Sequence, residues 1–309
     1  MQKRLRGLYQ RLQDLDPARL SVAVGFDGFV DEIVEAVDRR ESFDAYSRMT
    51  SIRQFGERIS KAAGLSTNIE FVSKTMKLGG NGPIMANALV KAGISVSYVG
   101  ALGKPNIHPV FFELTEGCTQ VFSVAEPGHT DAVEFDDGKV MLGKMESLNE
   151  LTWDTIQNEV GQEQLKKIFS GADLVATVNW TMTPYMTELW TNLLGLMSPS
   201  SVDDQPFFFV DLADPSKRSA SDINEALAVI GEFSPYYRVI LGLNRKEASE
   251  IAYVRDLKLS KPLEEADLEE IVTALGQDLG LWCLLVHPTS EVGAYVDGEY
   301  YHVEGPFTS

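Results

Sequence analysis

The sequence predicts an α/β protein with an open, mostly parallel sheet flanked by helices and with a small β-rich lid. From Ser21 onward, apolar runs typical of strands alternate with helical stretches. Three of these runs begin at residues 173, 207 and 238, a spacing of 34 and 31 residues that is typical of right-handed β-α-β units. Residues 119–142 differ, because alternating side chains around Asp136-Asp137-Gly138 predict a β-hairpin, which we interpret as the lid.

The elements before this hairpin follow from periodicity and from helix-start and helix-stop residues. The basic first 20 residues suit an amphipathic helix, and Val22–Phe26 is a short β-rich run. Apolar residues recur near a 3.6-residue period in 50–65, which predicts a helix. A second helix is predicted at Ile84–Ala92, ending at Gly93, and a strand at Val96–Val99.

After the hairpin, strands and helices alternate regularly. The predicted strands are Asp173–Val178, Phe207–Val210, Arg238–Gly242 and Trp282–Val286. Helices are predicted after Pro184, at 223–230, from Arg245, and at 268–279. A final hairpin covers roughly 293–303. No change of composition marks a linker, so residues 1–309 are predicted to form one domain.

Composition excludes several classes of partner. The formal net charge is −18, which opposes binding to duplex nucleic acid or to an anionic membrane. No apolar run approaches the ~20 residues that span a bilayer. The two cysteines, Cys118 and Cys283, are far apart, so neither a structural disulfide nor a zinc site is expected. These features predict a cytoplasmic protein.

Polar residues follow the predicted strands at the edge where open α/β sheets bind ligands. Asp27 and Asp31 follow the first strand, and a pair of carboxylates there could accept hydrogen bonds from sugar hydroxyls. The equivalent residues farther along are Asn179, Asp211 with Asp214, and Asn244 with Glu247. The alternative is that loops in α/β proteins are polar without binding anything.

Two short motifs can each be interpreted either as part of a ligand-binding site or as an ordinary structural feature. Gly79-Gly80-Asn81-Gly82 opens a helix, where glycines let a ligand approach and free N–H groups bind anions, although a plain tight turn would look the same. Asn244 and Glu247 have capping-box spacing, which needs no ligand, or could lie near hydrated Mg²⁺ and phosphates. The four histidines are scattered, so the sequence indicates no metal cluster.

Taken together and in order, these segments resemble the ribokinase-like (phosphofructokinase-B type) family of carbohydrate and nucleoside kinases from about residue 21 onward. The resemblance implies an ATP- and Mg²⁺-dependent phosphotransferase that acts on a hydroxyl of a sugar, sugar acid or nucleoside. It implies a homodimer through the lid. The implied substrate-binding residues are Asp27, Asp31, Gly79, Gly80, Asn81, Gly82 and Asn179. The implied phosphate- or Mg²⁺-associated residues are Asp211, Asn244 and Glu247, with no direct metal ligand.

The chain also departs from the family pattern. Residues 41–75 suggest an inserted helical segment that reshapes the substrate pocket, and His287-Pro-Thr-Ser replaces a Gly-rich turn. The family's Gly-Ala-Gly-Asp motif, whose Asp is the catalytic base, occurs nowhere in the 309 residues. We therefore expect the base beyond Ser309 and the chain by itself to be inactive.

Two other functions fit parts of the pattern. A non-catalytic sugar-binding or regulatory relative of the same fold would also lack the base. A nicotinamide-dependent dehydrogenase could use Gly79–Gly82, but no G-x-G-x-x-G follows the first strand. We expect the kinase family, with the substrate's identity open.

Overall fold

The computed structural model describes residues 15–197, 205–263 and 265–305, so most of the helix predicted in the first 20 residues lies outside the described part. The strands, in chain order, are β1 (Ser21–Phe26), β2 (Phe29–Arg40), β3 (Tyr46–Arg48), β4 (Phe71–Gly79), β5 (Ser95–Gly100), β6 (Gln120–Ser123), β7 (Gly128–Phe135), β8 (Gly138–Lys144), β9 (Leu174–Val178), β10 (Phe207–Asp211), β11 (Arg238–Leu243), β12 (Cys283–Val286), β13 (Glu291–Val296) and β14 (Glu299–Glu304).

The larger sheet has the order β14-β13-β12-β11-β10-β9-β1-β5-β6. Strands from β6 through β12 run parallel, and β13 and β14 continue the edge as an antiparallel hairpin. The open, mostly parallel sheet predicted from the sequence is confirmed. β1 is the third strand from the β6 edge and is buried on both faces, which explains why its sequence is mostly apolar rather than alternating.

The α-helices longer than one turn are, in chain order, α1 (Ile52–Ser60), α2 (Asn81–Lys91), α3 (Phe112–Gly117), α4 (Trp153–Val160), α5 (Gln162–Ser170), α6 (Met186–Leu194), α7 (Ala220–Glu232), α8 (Arg245–Val254) and α9 (Leu268–Leu279). Several begin at residues that the sequence marks as N-caps. Ser219 and Asn244, for example, each form a complete capping box with the residue three positions later.

The helices cover both faces of the large sheet. α2 and α3 pack over one face, around Val24, Tyr98 and Leu114. The helices from α4 onward cover the opposite face, where the largest core contains Trp190 and Phe208. Both faces of the central strands are therefore withdrawn from water. The strand carboxyl ends stay free to carry polar groups.

The second sheet forms the lid. Its strands are ordered β3-β2-β7-β8, and β4 also pairs with β2. β2 and β7 run parallel although about 100 residues separate them in sequence. α1 covers one end of the lid, where Phe55 packs with Val34 and Phe135.

Two predictions about the lid need correction. The hairpin predicted at 119–142 is β7 and β8, over 128–144, whereas β6 belongs to the large sheet. Residues 41–75 are only partly helical, since they contain β3, α1 and the first part of β4. β4 was missed because its side chains are mostly exposed, so its sequence lacks an apolar alternation. Its strand conformation comes from pairing with β2.

Across the described ranges, every helix is too short or too polar to cross a membrane.

Candidate active site

A cleft of about 500 Å³ opens between the lid and the carboxyl ends of the large sheet. Its walls bring together residues from eight separate stretches of the chain. The residues predicted from the sequence that line it are Asp31, Gly80, Asn81, Asn179, Asp211, Asn244 and Glu247. The predicted residues Asp27, Gly79 and Gly82 do not line it.

The lid side of the cleft carries a carboxylate held by a neighbouring strand. Asp31 lies on β2 opposite Thr130 of β7, and both side chains face the cleft. Partial burial raises the pKa of Asp31 above its ordinary value of 3.8, while a hydrogen bond from the Thr130 hydroxyl and the nearby His129 act in the opposite direction. A Cβ atom at Gly79 would overlap the Asp31 carboxyl group, so glycine there makes room for it. The arrangement presents acceptor oxygens to a hydroxylated ligand.

Asp27 has a different position from the one predicted. It is fully buried beneath Gly79–Gly82, here called the glycine segment, rather than exposed in the cleft. Its carboxylate accepts hydrogen bonds from the Gly82 N–H at 2.9 Å and from Asn179 Nδ2 at 2.7 Å. The Tyr98 hydroxyl donates to the Asp27 carbonyl oxygen at 2.5 Å. Asp27 therefore positions β1, α2 and Asn179 relative to one another and does not line the cleft.

The same contacts correct the prediction that α2 offers free N–H groups to an anion. Gly80 is the N-cap and has no side chain to cap the helix. Asp27 takes that role, accepting from the backbone N–H groups of Asn81 and Gly82. Burial raises the pKa of Asp27 to about 6, although these hydrogen bonds favour the ionised form.

The fit between Asp27 and the glycine segment can be tested with Gly82→Ala. The new Cβ would overlap Oδ1 of Asp27 and lie 2.7 Å from the Tyr98 hydroxyl oxygen. We expect the free energy of unfolding to fall by about 1–2 kcal/mol, because both neighbours are buried and held by hydrogen bonds. Urea denaturation measures the change.

Gly56→Ala is the matched control. Gly56 lies inside α1, and a Cβ added there would have no neighbouring atom within 4 Å beyond its own helix backbone and adjacent residues. Alanine there should leave stability unchanged or raise it by up to about 1 kcal/mol through helix propensity. Equal effects of the two substitutions would show that the contact with Asp27 is unimportant.

The sheet side of the cleft carries two more carboxylates. Glu247 is buried, and its oxygens accept from the backbone N–H groups of Asp214 at 3.0 Å and Asn244 at 2.9 Å. The Asn244 side chain accepts from the Glu247 N–H at 3.0 Å, which completes the capping box. Asp211 ends β10 beside them, and Asn81 Nδ2 lies 3.4 Å from its Oδ1. Burial, followed by repulsion from Glu247, raises the pKa of Asp211 to about 6.

This donor set fits Mg²⁺. Asp211, Asn244 and Glu247 each offer a side-chain oxygen, which is the ligand type that Mg²⁺ prefers. A divalent cation would also offset the repulsion between the neighbouring carboxylates of Asp211 and Glu247. The oxygens of Glu247 are already engaged by backbone N–H groups, which suits contact through water rather than a direct bond. Asp211, Asn244 and Glu247 would hold the hydrated ion, and the ion would neutralise phosphate charge. The cap and a cation site are thus compatible uses of the same residues.

Several lining residues were missed from the sequence. Thr130, Met141 and Met145 reach the cleft from the lid, and His287 reaches it from the end of β12. His287 follows a predicted strand, so its position was a usable signal. The lid residues gave no local signal, since their location depends on pairing between distant strands.

None of the residues that line the cleft was predicted from the sequence to be the catalytic base. Asp214, noted beside Asp211, also lines the cleft. Its carboxylate accepts from Lys246 Nζ at 2.8 Å. That ion pair is largely exposed to solvent.

Solved structures of sugar kinases share this fold. A carbohydrate kinase from Agrobacterium tumefaciens superposes with a TM-score of 0.59 at 16% identity, covering 92% of this chain and 76% of that one. Phosphofructokinase-2 from Escherichia coli in complex with fructose-6-phosphate gives a TM-score of 0.59 at 14% identity, covering 94% of this chain and 81% of that one. At these identities the likeness establishes the fold.

Sequence comparison is more specific. A ketohexokinase from Haloferax volcanii is 30% identical over 233 residues, which are 75% of this chain and 62% of that protein. The chain thus spans less than two thirds of the length of this relative. The family model for prokaryotic ketohexokinase matches residues 10–307. The resemblance to the phosphofructokinase-B type kinases is confirmed, and the chain belongs to the prokaryotic ketohexokinase family.

Proposed function

We propose that this chain binds a ketohexose and Mg²⁺-ATP in the cleft between the lid and the large sheet, as part of an ATP-dependent ketohexokinase. The reaction transfers the γ-phosphoryl group of ATP to a hydroxyl of the sugar. The family model and the Haloferax volcanii ketohexokinase support the substrate class. Because ATP is the donor, the proposal also assigns the protein to the cytoplasm.

One observation carries the proposal. Asp31 and the group formed by Asp211, Asn244 and Glu247 line one cleft from opposite walls. The first provides acceptors for hydroxyls, and the second provides a place for hydrated Mg²⁺. A volume of about 500 Å³ accommodates a monosaccharide together with the phosphate end of a nucleotide. Phosphoryl transfer depends mainly on positioning and charge neutralisation, which such a cleft provides.

The chain's residues have separate parts in this proposal. Asp31 orients the sugar, and Asn179 and Asn81 border the sugar from the sheet side. Asp211, Asn244 and Glu247 bind the nucleotide phosphates through the hydrated cation. No residue of the chain is assigned as the base that removes the sugar's proton, since no Gly-Ala-Gly-Asp occurs in the 309 residues. Binding without turnover is therefore the behaviour proposed for this chain.

Calorimetric titration of the 309-residue chain tests the proposal. We expect D-fructose to bind more tightly than adenosine, and we expect Mg²⁺-ATP to bind as well. ADP formation, followed with a coupled assay, should not exceed the background without protein.

The other results have distinct meanings. Fructose binding without any binding of Mg²⁺-ATP would favour a non-catalytic sugar-binding relative. Tighter binding of adenosine would contradict the ketohexose assignment. ADP formation above background would contradict the proposal that the chain lacks a catalytic base. One of the carboxylates in the cleft would then be the candidate base.

We also propose that two copies of the protein form a homodimer through their lids. Leu142 of β8 is 38% exposed and Met76 of β4 is 49% exposed, and both lie on the lid face opposite the cleft. Apolar side chains this exposed on a small sheet suit contact with a second copy.

A further inference from the structure

We propose a second metal site, for a first-row divalent transition metal, on the face of the lid opposite the cleft. Its ligands are Glu32 on β2 and His129 and Asp131 on β7. Their ligating atoms all lie within 4.8 Å of one another. The sequence indicated no metal cluster because its four histidines are scattered. The structure brings two carboxylates to one of them.

Strand register explains the grouping. Glu32 is paired directly with Asp131 in the parallel ladder between β2 and β7, and His129 lies two residues before Asp131. Side chains at these positions point to the same face of a sheet. Asp31 and Thr130, which alternate with them, point to the opposite face and into the cleft. The proposed site is thus separate from the cation site beside Asp211.

The distances suit a bound metal. His129 Nε2 lies 2.9 Å from Asp131 Oδ1 and 3.2 Å from Glu32 Oε2. For metal–ligand bonds of about 2.1 Å, these separations correspond to bond angles of roughly 90–100°. The other oxygen of Asp131, Oδ2, lies 2.9 Å from Lys144 Nζ. Lys144 therefore holds the carboxylate in place and leaves Oδ1 for the metal.

The ligand types favour one group of metals. One imidazole with two carboxylates suits Zn²⁺, Co²⁺ or Mn²⁺, whereas Mg²⁺ prefers ligands that are all oxygen. The three side chains are 15–31% exposed, so an ion can enter and keep water in its open positions. A hydrogen bond between His129 Nε2 and the two carboxylates is the competing arrangement. Metal binding would replace it.

A metal in this position would join β2 to β7. These strands carry Asp31 and Thr130 on their cleft face. The ion would fix the register of the two strands and stabilise the lid. We therefore expect bound Zn²⁺ to raise the Tm of the protein.

The test uses the whole chain prepared without a histidine tag. Calorimetry with ZnCl₂ should give about one site per chain, and Mn²⁺ followed by EPR should bind the same site more weakly, as expected from the Irving–Williams order. Glu32→Gln and His129→Ala should each weaken Zn²⁺ binding by about tenfold or more. Excess Mg²⁺ should not displace Zn²⁺.

His302→Ala is the matched control. His302 lies on β14 and pairs with one carboxylate, Glu291, at 2.9 Å. It therefore offers the same ligand types without the third group, and its loss should leave Zn²⁺ binding unchanged. The absence of Zn²⁺ binding, or equal binding by the wild-type chain and the Glu32→Gln variant, would overturn the proposal and leave a hydrogen-bonded cluster without a metal. Far-UV circular dichroism checks that each variant is folded.

Discussion

Replacing Asp31 with alanine is expected to weaken the binding of D-fructose by about 100-fold. Asp31 is the carboxylate of β2 that faces the cleft, and Thr130 and Gly79 fix its position. A hydrogen bond to a charged group contributes about 1.5–3 kcal/mol, and a carboxylate can accept from two sugar hydroxyls. A loss near 2.7 kcal/mol corresponds to a hundredfold increase in Kd.

Calorimetric titration with D-fructose measures this effect, with Asp38→Asn as the control. Asp38 lies on the same strand, and its partner Arg58 is 3.6 Å away in an exposed ion pair. Such pairs contribute about 0–1 kcal/mol to stability, and Asp38 does not line the cleft. Its replacement should leave fructose affinity unchanged. If Asp31→Ala binds fructose as tightly as the wild-type chain does, the sugar does not bind beside Asp31.

The sheet side of the site could be predicted from sequence because its residues are fixed by local structure. Asp211 is the last residue of the apolar strand β10, and Asn244 directly follows the apolar strand β11. Parallel strands place their carboxyl ends at one edge, so these residues must meet there. The capping box of Asn244 and Glu247 is likewise a local pattern, and it forms as predicted.

The lid could not be predicted in the same way. Pairing of β2 with β7 decides that Asp31 meets Thr130 and that Glu32 meets Asp131. Neither strand has a simple apolar alternation, because side chains on both faces of the lid are partly buried. A register between strands about 100 residues apart leaves no local signal. From the sequence, Asp31 could be placed only as a polar residue after the first strand, and His129 only as one of four scattered histidines.

The role of Asp27 was also misjudged, for a different reason. Its position after the first strand was predicted correctly, but the sequence does not show what lies above it. Gly80 provides no side-chain cap for α2, and the Asp27 carboxylate takes that place. A residue predicted to bind substrate is thus a buried structural group.

Burial of Asp27 has a consequence for stability that can be measured. Its pKa is about 6 in the folded protein, above the ordinary value of 3.8, with burial as the main cause. Between these two values the folded state holds more protons than the unfolded state, so the free energy of unfolding must fall as pH rises. Protonated Asp27 contributes about 3 kcal/mol to the free energy of unfolding at low pH, and nearly all of this contribution is lost by pH 7. Burial raises the pKa of Asp211 as well, so Asp211 adds a similar dependence of stability on pH.

Asp27→Asn isolates the contribution of Asp27. Urea denaturation of the two proteins at several pH values from 5 to 7.5 avoids more acidic solutions, where the net charge of −18 is neutralised and precipitation is favoured. In this range the wild-type chain should lose about 1.4 kcal/mol more stability than the variant as pH rises. Asp38→Asn, which alters an exposed carboxylate, should follow the wild-type curve. Parallel curves for the wild-type chain and Asp27→Asn would mean that Asp27 ionises in the folded protein as readily as in water. The α2 cap would then be a well-solvated carboxylate, and the close packing of Tyr98, Gly82 and Asn179 around it would not control its charge.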